Sequence, residues 1–173
     1  DDCSGDGDCC PEDWIGDGEF CDDAEQTSGC DLSCYDNDGG DCDIITLSIP
    51  LIAGYNWISF NVVPEDNTLS GILGSLGTDA NFVASQLDGV SQNYGDYGWY
   101  GSLAELSSTQ MYLVEMLAPA TLTITGAPVD VASTPIDLIA GYNWIGYLPQ
   151  NPGDLGVALE KLGTDANFVA SRS

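Results

Sequence analysis

Two blocks of sequence occur twice, in the same order, and this internal repetition constrains the fold more than any other feature of the chain. LIAGYNWI at residues 51–58 recurs at 138–145, and LGTDANFVAS at 76–85 recurs at 162–171. Identical blocks in register define a tandem repeat, so the two copies are written for one fold. The first copy occupies 44–130. The second, 131–173, carries only the opening of the pattern and lacks counterparts to residues 86–126. A partial sheet exposes an apolar edge with unsatisfied backbone groups. Two readings follow: the chain is a piece of a longer tandem array, or strands of a neighbouring chain complete the second copy. A head-to-tail contact of the latter kind does not close on itself and gives rings or filaments.

Periodicity supplies the elements. In the first copy, β-branched runs predict strands over 45–51 and 57–63, separated by a turn at Ala53 and Gly54. Leu69, Ile72, Leu73 and Leu76 share one helical face, with Asn67 or Thr68 as cap and Gly77 at the end. Strands near 81–87 and 90–94, a Tyr/Gly-rich loop over 94–101, and strands near 111–116 and 121–125 complete the unit. The second copy repeats the opening with strands at 136–140 and 143–148. A helix at 154–162 (Leu155, Ala158, Leu159, Leu162) and a strand through 167–170 follow. Trp57 and Trp144 recur in the repeat and are expected in the core.

Residues 1–43 have a different texture. They hold all seven cysteines and most of the 28 acidic residues. Their only large apolar side chains are Trp14, Ile15, Phe20, Leu32 and Tyr35, too few to fold on burial alone. Dense cysteines in such a segment indicate a disulfide framework formed in an oxidising compartment. A zinc site is the competing reading, but the chain has no histidine, and a thiolate site leaves the carboxylates unexplained. Seven cysteines leave one thiol free or paired between molecules.

The net charge of −26, with only two basic residues, excludes nucleic acid and acidic membranes as partners. Soluble cations are the natural counter-charge. No apolar run reaches transmembrane length. The absence of an initial methionine or signal peptide fits a mature exported product or a fragment of one.

The stretch Asp38-Gly39-Gly40-Asp41-Cys42 joins two carboxylates, a glycine turn and a cross-link. Glycines reach positive φ without a Cβ clash, so both carboxylates can face one hard cation. Together with Cys9-x4-Trp14-Ile15-Gly16-Asp17-Gly18, Cys21-Asp22-Asp23 and Cys30-Asp31-x2-Cys34, it resembles a Notch-type LNR module over residues 3–42. Such modules are nearly core-less and are held by three disulfides and one calcium ion. The resemblance implies the pairs Cys3–Cys34, Cys9–Cys30 and Cys21–Cys42. It leaves Cys10 as the extra thiol, with exchange of Cys9 and Cys10 open. It also implies calcium ligation by Asp17, Asp38 and Asp41, with the backbone carbonyl of Phe20 or Glu19 and one near Asp13. Glu19-Phe20 makes this spacing one residue longer than the commonest in the family, and Asp31 stands where the family has asparagine. Calcium accepts such a mixed oxygen set in a forgiving geometry, whereas magnesium demands a stricter octahedron. Asp22, Asp23 and Asp31 read as charge support or turn caps.

The expected architecture is a small disulfide-rich calcium-binding module followed by α+β, mostly β, tandem-repeat domains, the second incomplete. Without histidine no His-based triad or shuttle can be assembled, so the chain is not expected to be an enzyme. Carboxylate-pair glycoside hydrolysis is the one common mechanism left, and no pair stands out by its spacing. The repeat is similar to modules of large bacterial surface proteins. The leading expectation is a structural subunit of an extracellular fibre or array, assembling head-to-tail with copies of itself. The alternative is a calcium-dependent adhesin that binds glycans through Tyr94, Tyr97, Trp99 and Tyr100, against the plainer reading of these rings as packing groups.

Overall fold

The computed structural model describes residues 3–4, 10–15, 21, 30–40 and 42–170. The fold is mostly β, with two antiparallel sheets, short helices and three disulfides.

Strand β1 (Ile45–Leu51) opens the first copy, with inward Ile45, Leu47, Ile49 and Leu51 alternating against outward residues. It pairs with the distant β8 (Ala120–Pro128), from Ile45 opposite Gly126 to Leu51 opposite Ala120. The short β3 (Val62–Val63) takes the other side of β8, giving a sheet of order β1-β8-β3. The second sheet runs β2-β7-β4-β5-β6. Its strands are β2 (Gly54–Ile58), β4 (Ala80–Ala84), β5 (Val90–Asn93), β6 (Trp99–Gly101) and β7 (Tyr112–Met116). β7 sits between β2 and β4 and buries Tyr112, Val114 and Met116. One hydrophobic cluster draws on both sheets and on the short helix between β3 and β4.

The expected single strand over 57–63 is two separate pieces. β2 begins earlier, because Gly54 adopts φ 94 and the Asn56 side chain ties the turn to Ile52 and Gly54. The helix is also shorter than expected. α2 (Leu69–Leu73), capped by the Thr68 hydroxyl on Gly71 N–H, passes into a 3-10 segment at Gly74–Asp79 that contains Gly77 at φ 56. The aromatic loop is partly regular, since β6 pairs with β5.

The second copy departs furthest from expectation. No strand forms over 136–140, 143–148 or 167–170. An isolated bridge joins Ile145 to Gln110, and the helical part is reduced to α3 (Leu155–Ala158) and a turn at Glu160–Leu162. The physical reason lies in the first copy, where β1, β2 and β4 are held by β7 and β8, whose counterparts are not among residues 131–173. Backbone that finds no ladder partner turns to water or to a neighbour. Here part of it turns to the first copy. The Gln86 side chain acts as a backbone surrogate, donating to Tyr142 O and accepting from Trp144 N–H at 2.6 Å. Met111 N–H donates to Trp144 O and Gly146 N–H to Thr109 O. Asn61 and Gln150 exchange side-chain-to-backbone bonds across the same seam, Asn61 to Pro149 O and Gln150 to Asn61 O. Trp57 and Trp144, expected in the core, are instead half-buried and meet each other edge to face at 4.4 Å.

Candidate functional site

The described residues among 1–43, here called the cap, offer little hydrophobic core. Among its described residues Leu32 is the only buried apolar side chain. Disulfides join Cys3 to Cys34, Cys10 to Cys30 and Cys21 to Cys42. The first and third are the pairs that the LNR resemblance implies. The second corrects Cys9–Cys30: Cys10 occupies that position, with its Cα 5.7 Å from that of Cys30, inside the reach of a disulfide. Pro11 follows at once and caps the 3-10 turn Glu12–Trp14. Spacing to the tryptophan cannot distinguish adjacent cysteines when a turn intervenes. Cys9 itself lies outside the described residues.

The acidic loop has an unusual backbone. In the single helical turn α1 (Asp36–Gly39), Asn37 and Asp38 are left-handed at φ 54 and φ 57, and Gly39 and Gly40 continue at φ 62 and φ 100. Asn, Asp and Gly tolerate this region where other residues pay a Cβ clash. Asn37 holds the turn: its carbonyl accepts from Gly40 and Cys42 N–H, and its amide donates to Asp43. The bend was legible in the two glycines, but the part played by Asn37 was not. Within this turn Asp38 is fully buried. Asp13 is exposed in the 3-10 turn. Asp17, Glu19, Phe20 and Asp41 lie outside the described residues, as do Asp22 and Asp23. Among the described residues no cluster of three acidic or cysteine side chains could hold a metal. Asp31 does cap a turn, its carboxylate accepting from the N–H and hydroxyl of Ser33.

The four aromatics of the second candidate site do not form one platform. Tyr94 and Tyr100 meet edge to face at 5.9 Å, Tyr97 projects alone at 79% exposure, and Trp99 packs against the core. Asn93 fixes the loop, donating to Gly77 O and Ala80 O and accepting from Gly95 N–H.

No carboxylate pair with perturbed protonation stands out among the described residues. Hydrogen bonds from Thr68 hold the exposed Asp66 carboxyl below its ordinary value. Asp130 is lowered in the same way by Ser133 and Ala132. Tyr112 is raised, first by burial and also by the charge of Asp88, against a lowering contribution from its bond with Ser107. All three have local structural causes, and none lies in the cap.

Equivalent residues of the two copies differ sharply in exposure. Leu69 is 2% exposed and its counterpart Leu155 57%; Val83 is 0% exposed and its counterpart Val169 50%. Leu155, Leu159, Ala166, Phe168 and Val169 line an open groove of about 440 Å³. Comparison with protein-family models, with curated proteins and with solved structures finds no match. Among the described residues no helix is long and apolar enough to cross a membrane. The three disulfides suit an oxidising environment.

Proposed function

We propose that the protein is a non-catalytic structural subunit of an extracellular fibre or surface array, and that subunits join end to end through the second copy. The observation that carries this reading is the contrast between the copies, in which one sequence is core in the first and solvent-facing in the second. In a complete repeat this surface is covered by strands like β7 and β8, which a neighbouring subunit or the next stretch of a tandem array would supply.

Calcium belongs to the same reading as a stiffener of the cap. The reading follows from the LNR resemblance of the segment and from the excess of 28 acidic over two basic residues, for which soluble cations are the natural counter-charge. Asp38, with Asp17, Asp41 and carbonyls of the Glu19–Phe20 region, would hold the ion, which supplies a cross-link between carboxylates rather than chemistry. Electron microscopy and sedimentation in millimolar calcium test the assembly. Fibres or ordered arrays are expected, and a monomer at all concentrations would remove the reading. An adhesin is favoured by one observation, the exposure of Tyr94, Tyr97 and Tyr100 on a tethered loop. A glycan array with a hit lost in Tyr97→Ala would move the assignment there.

A further inference from the structure

We infer that the outer face of the larger sheet binds a single extended chain of a neutral, β-linked polysaccharide. The inference goes beyond assembly, and it sets the glycan contact of the adhesin alternative on the sheet rather than on the loop that carries Tyr97. It uses residues of the first copy alone.

Strand register lines up one side chain from each of the five strands. Tyr55 on β2 stands opposite Glu115 on β7, and Glu115 opposite Phe82 on β4. Phe82 in turn stands opposite Gln92 on β5, and Gln92 opposite Tyr100 on β6. Their strand neighbours Val114, Met116, Val83 and Ser91 are buried, so by the two-residue alternation this row faces outward. Asn81, at the bulge beside Phe82, donates to Glu115 Oε2 at 2.7 Å and fixes the carboxylate. Tyr94 meets Tyr100 edge to face and steadies its ring. Aromatic rings therefore stand on every second strand, with hydrogen-bonding side chains between them.

The spacing selects the ligand. Adjacent strands about 4.8 Å apart set these rings about 9.6 Å apart, close to the disaccharide repeat of an extended β-linked sugar chain. Each ring offers an apolar face to the C–H side of one sugar, and Glu115 and Gln92 meet hydroxyls of the sugars between. Sheet twist turns successive rings by about 40–50°. The row thus follows one twisting chain in solution and not the flat face of a crystal. A net charge of −26 and a row without a basic side chain exclude anionic polymers. An apolar protein segment is a poorer occupant, because it would bury Glu115 and Gln92 without replacing their water. The chain itself shows the contrast. The next row on the same face, Trp57, Leu113, Ala84 and Val90, has no polar member, and there Trp144 of the second copy lies against Trp57.

The test titrates the full 173-residue protein with cellohexaose, mannohexaose and xylohexaose, read by calorimetry. Binding to at least one is expected, with affinity that rises from disaccharide to hexaose, because the row is about 19 Å long. Tyr55→Ala and Tyr100→Ala, both at exposed positions, should each weaken binding by about tenfold while the protein stays folded. Phe82→Leu keeps an apolar side chain without the ring and should weaken it as much. Tyr97→Ala should leave it intact. No binding to any of the three sugars overturns the inference. So does a disaccharide that binds as tightly as the hexaose, or polygalacturonate that binds as tightly as the neutral chains. Binding lost in Tyr97→Ala and kept in Tyr55→Ala would also overturn it and return the site to the loop. Fibres without sugar binding would remove the row and leave the assembly standing. Sugar binding by a protein that stays monomeric would do the reverse.

Discussion

At the scale of single residues, two buried groups carry the testable electrostatics. Asp38 is a carboxylate with no exposed surface in a left-handed turn of a strongly acidic segment. Left-handed non-glycine residues cost of order 1 kcal/mol or more each and persist where the surroundings compensate. With calcium as that compensation, added calcium should raise the thermal midpoint of the cap, and Asp38→Ala should abolish the rise while leaving the disulfides intact. Scanning calorimetry with and without a chelator reads this, and an equal calcium response in the variant would dismiss Asp38 as a ligand. Tyr112 gives the opposite end of the pH scale. Its proton is held more tightly in the folded state, so the unfolded chain releases it first as pH rises past about 10. Stability from this group is complete below that value and is lost as pH climbs through the raised one. Urea midpoints at about pH 8 and about pH 11 should fall more in the wild type than in Tyr112→Phe. The variant should itself start about 1–2 kcal/mol less stable, because Ser107 N–H loses its 2.6 Å acceptor.

At the scale of elements, the repeat is a comparison of one sequence in two surroundings, and it separates local from non-local coding. Asn56 and Asn143 make the same bonds around their turns, and Gly54 and Gly141 share positive φ. Both helices are capped, by the Thr68 hydroxyl and the Asp154 carboxylate. Strands form in the first copy alone. Turns and caps were therefore legible because their partners lie within a few residues, whereas a strand's partner is elsewhere in the chain. The same division explains the cap. Cysteine order gave the Cys3–Cys34 and Cys21–Cys42 pairs through the family resemblance, while the choice between adjacent Cys9 and Cys10 depended on the turn beside them. Gln86 had no sequence signal at all, since its role requires the second copy to be unpaired. One substitution tests the local part. A Cβ on Gly71 would lie 2.3 Å from the Asp66 carboxyl carbon. In the second copy Val157 stands at this position and Pro152 replaces Asp66, so the conflict is absent. Gly71→Val should destabilise the first copy by about 1–3 kcal/mol in urea denaturation, while Val157→Gly should leave its midpoint unchanged. A tolerated Gly71→Val would mean that the Asp66–Thr68 capping bond contributes little.

At the scale of the whole molecule, two different physical means of ordering a chain lie side by side. The cap has sequence separations of 31, 20 and 21 across its disulfides. Loop closure of this length limits the unfolded chain by about 3 kcal/mol or more per bond on the chain-entropy account, against one buried leucine among the described residues of the cap. The β domain has the reverse arrangement, with a shared core of both sheets and no cysteine after Cys42. Its first strand begins at Ile45, immediately after Asp43 and the exposed Ile44, so little burial couples the two parts. Reductant should therefore unfold the cap at ambient temperature and leave the β domain's thermal midpoint within a few degrees of its oxidised value. Exchange at 45–51 and 112–128 should stay slow while amides at 30–40 exchange freely. If both regions lose protection together, the cap is an integral part of the domain's core, and a cap that stiffens the molecule from outside is the wrong description.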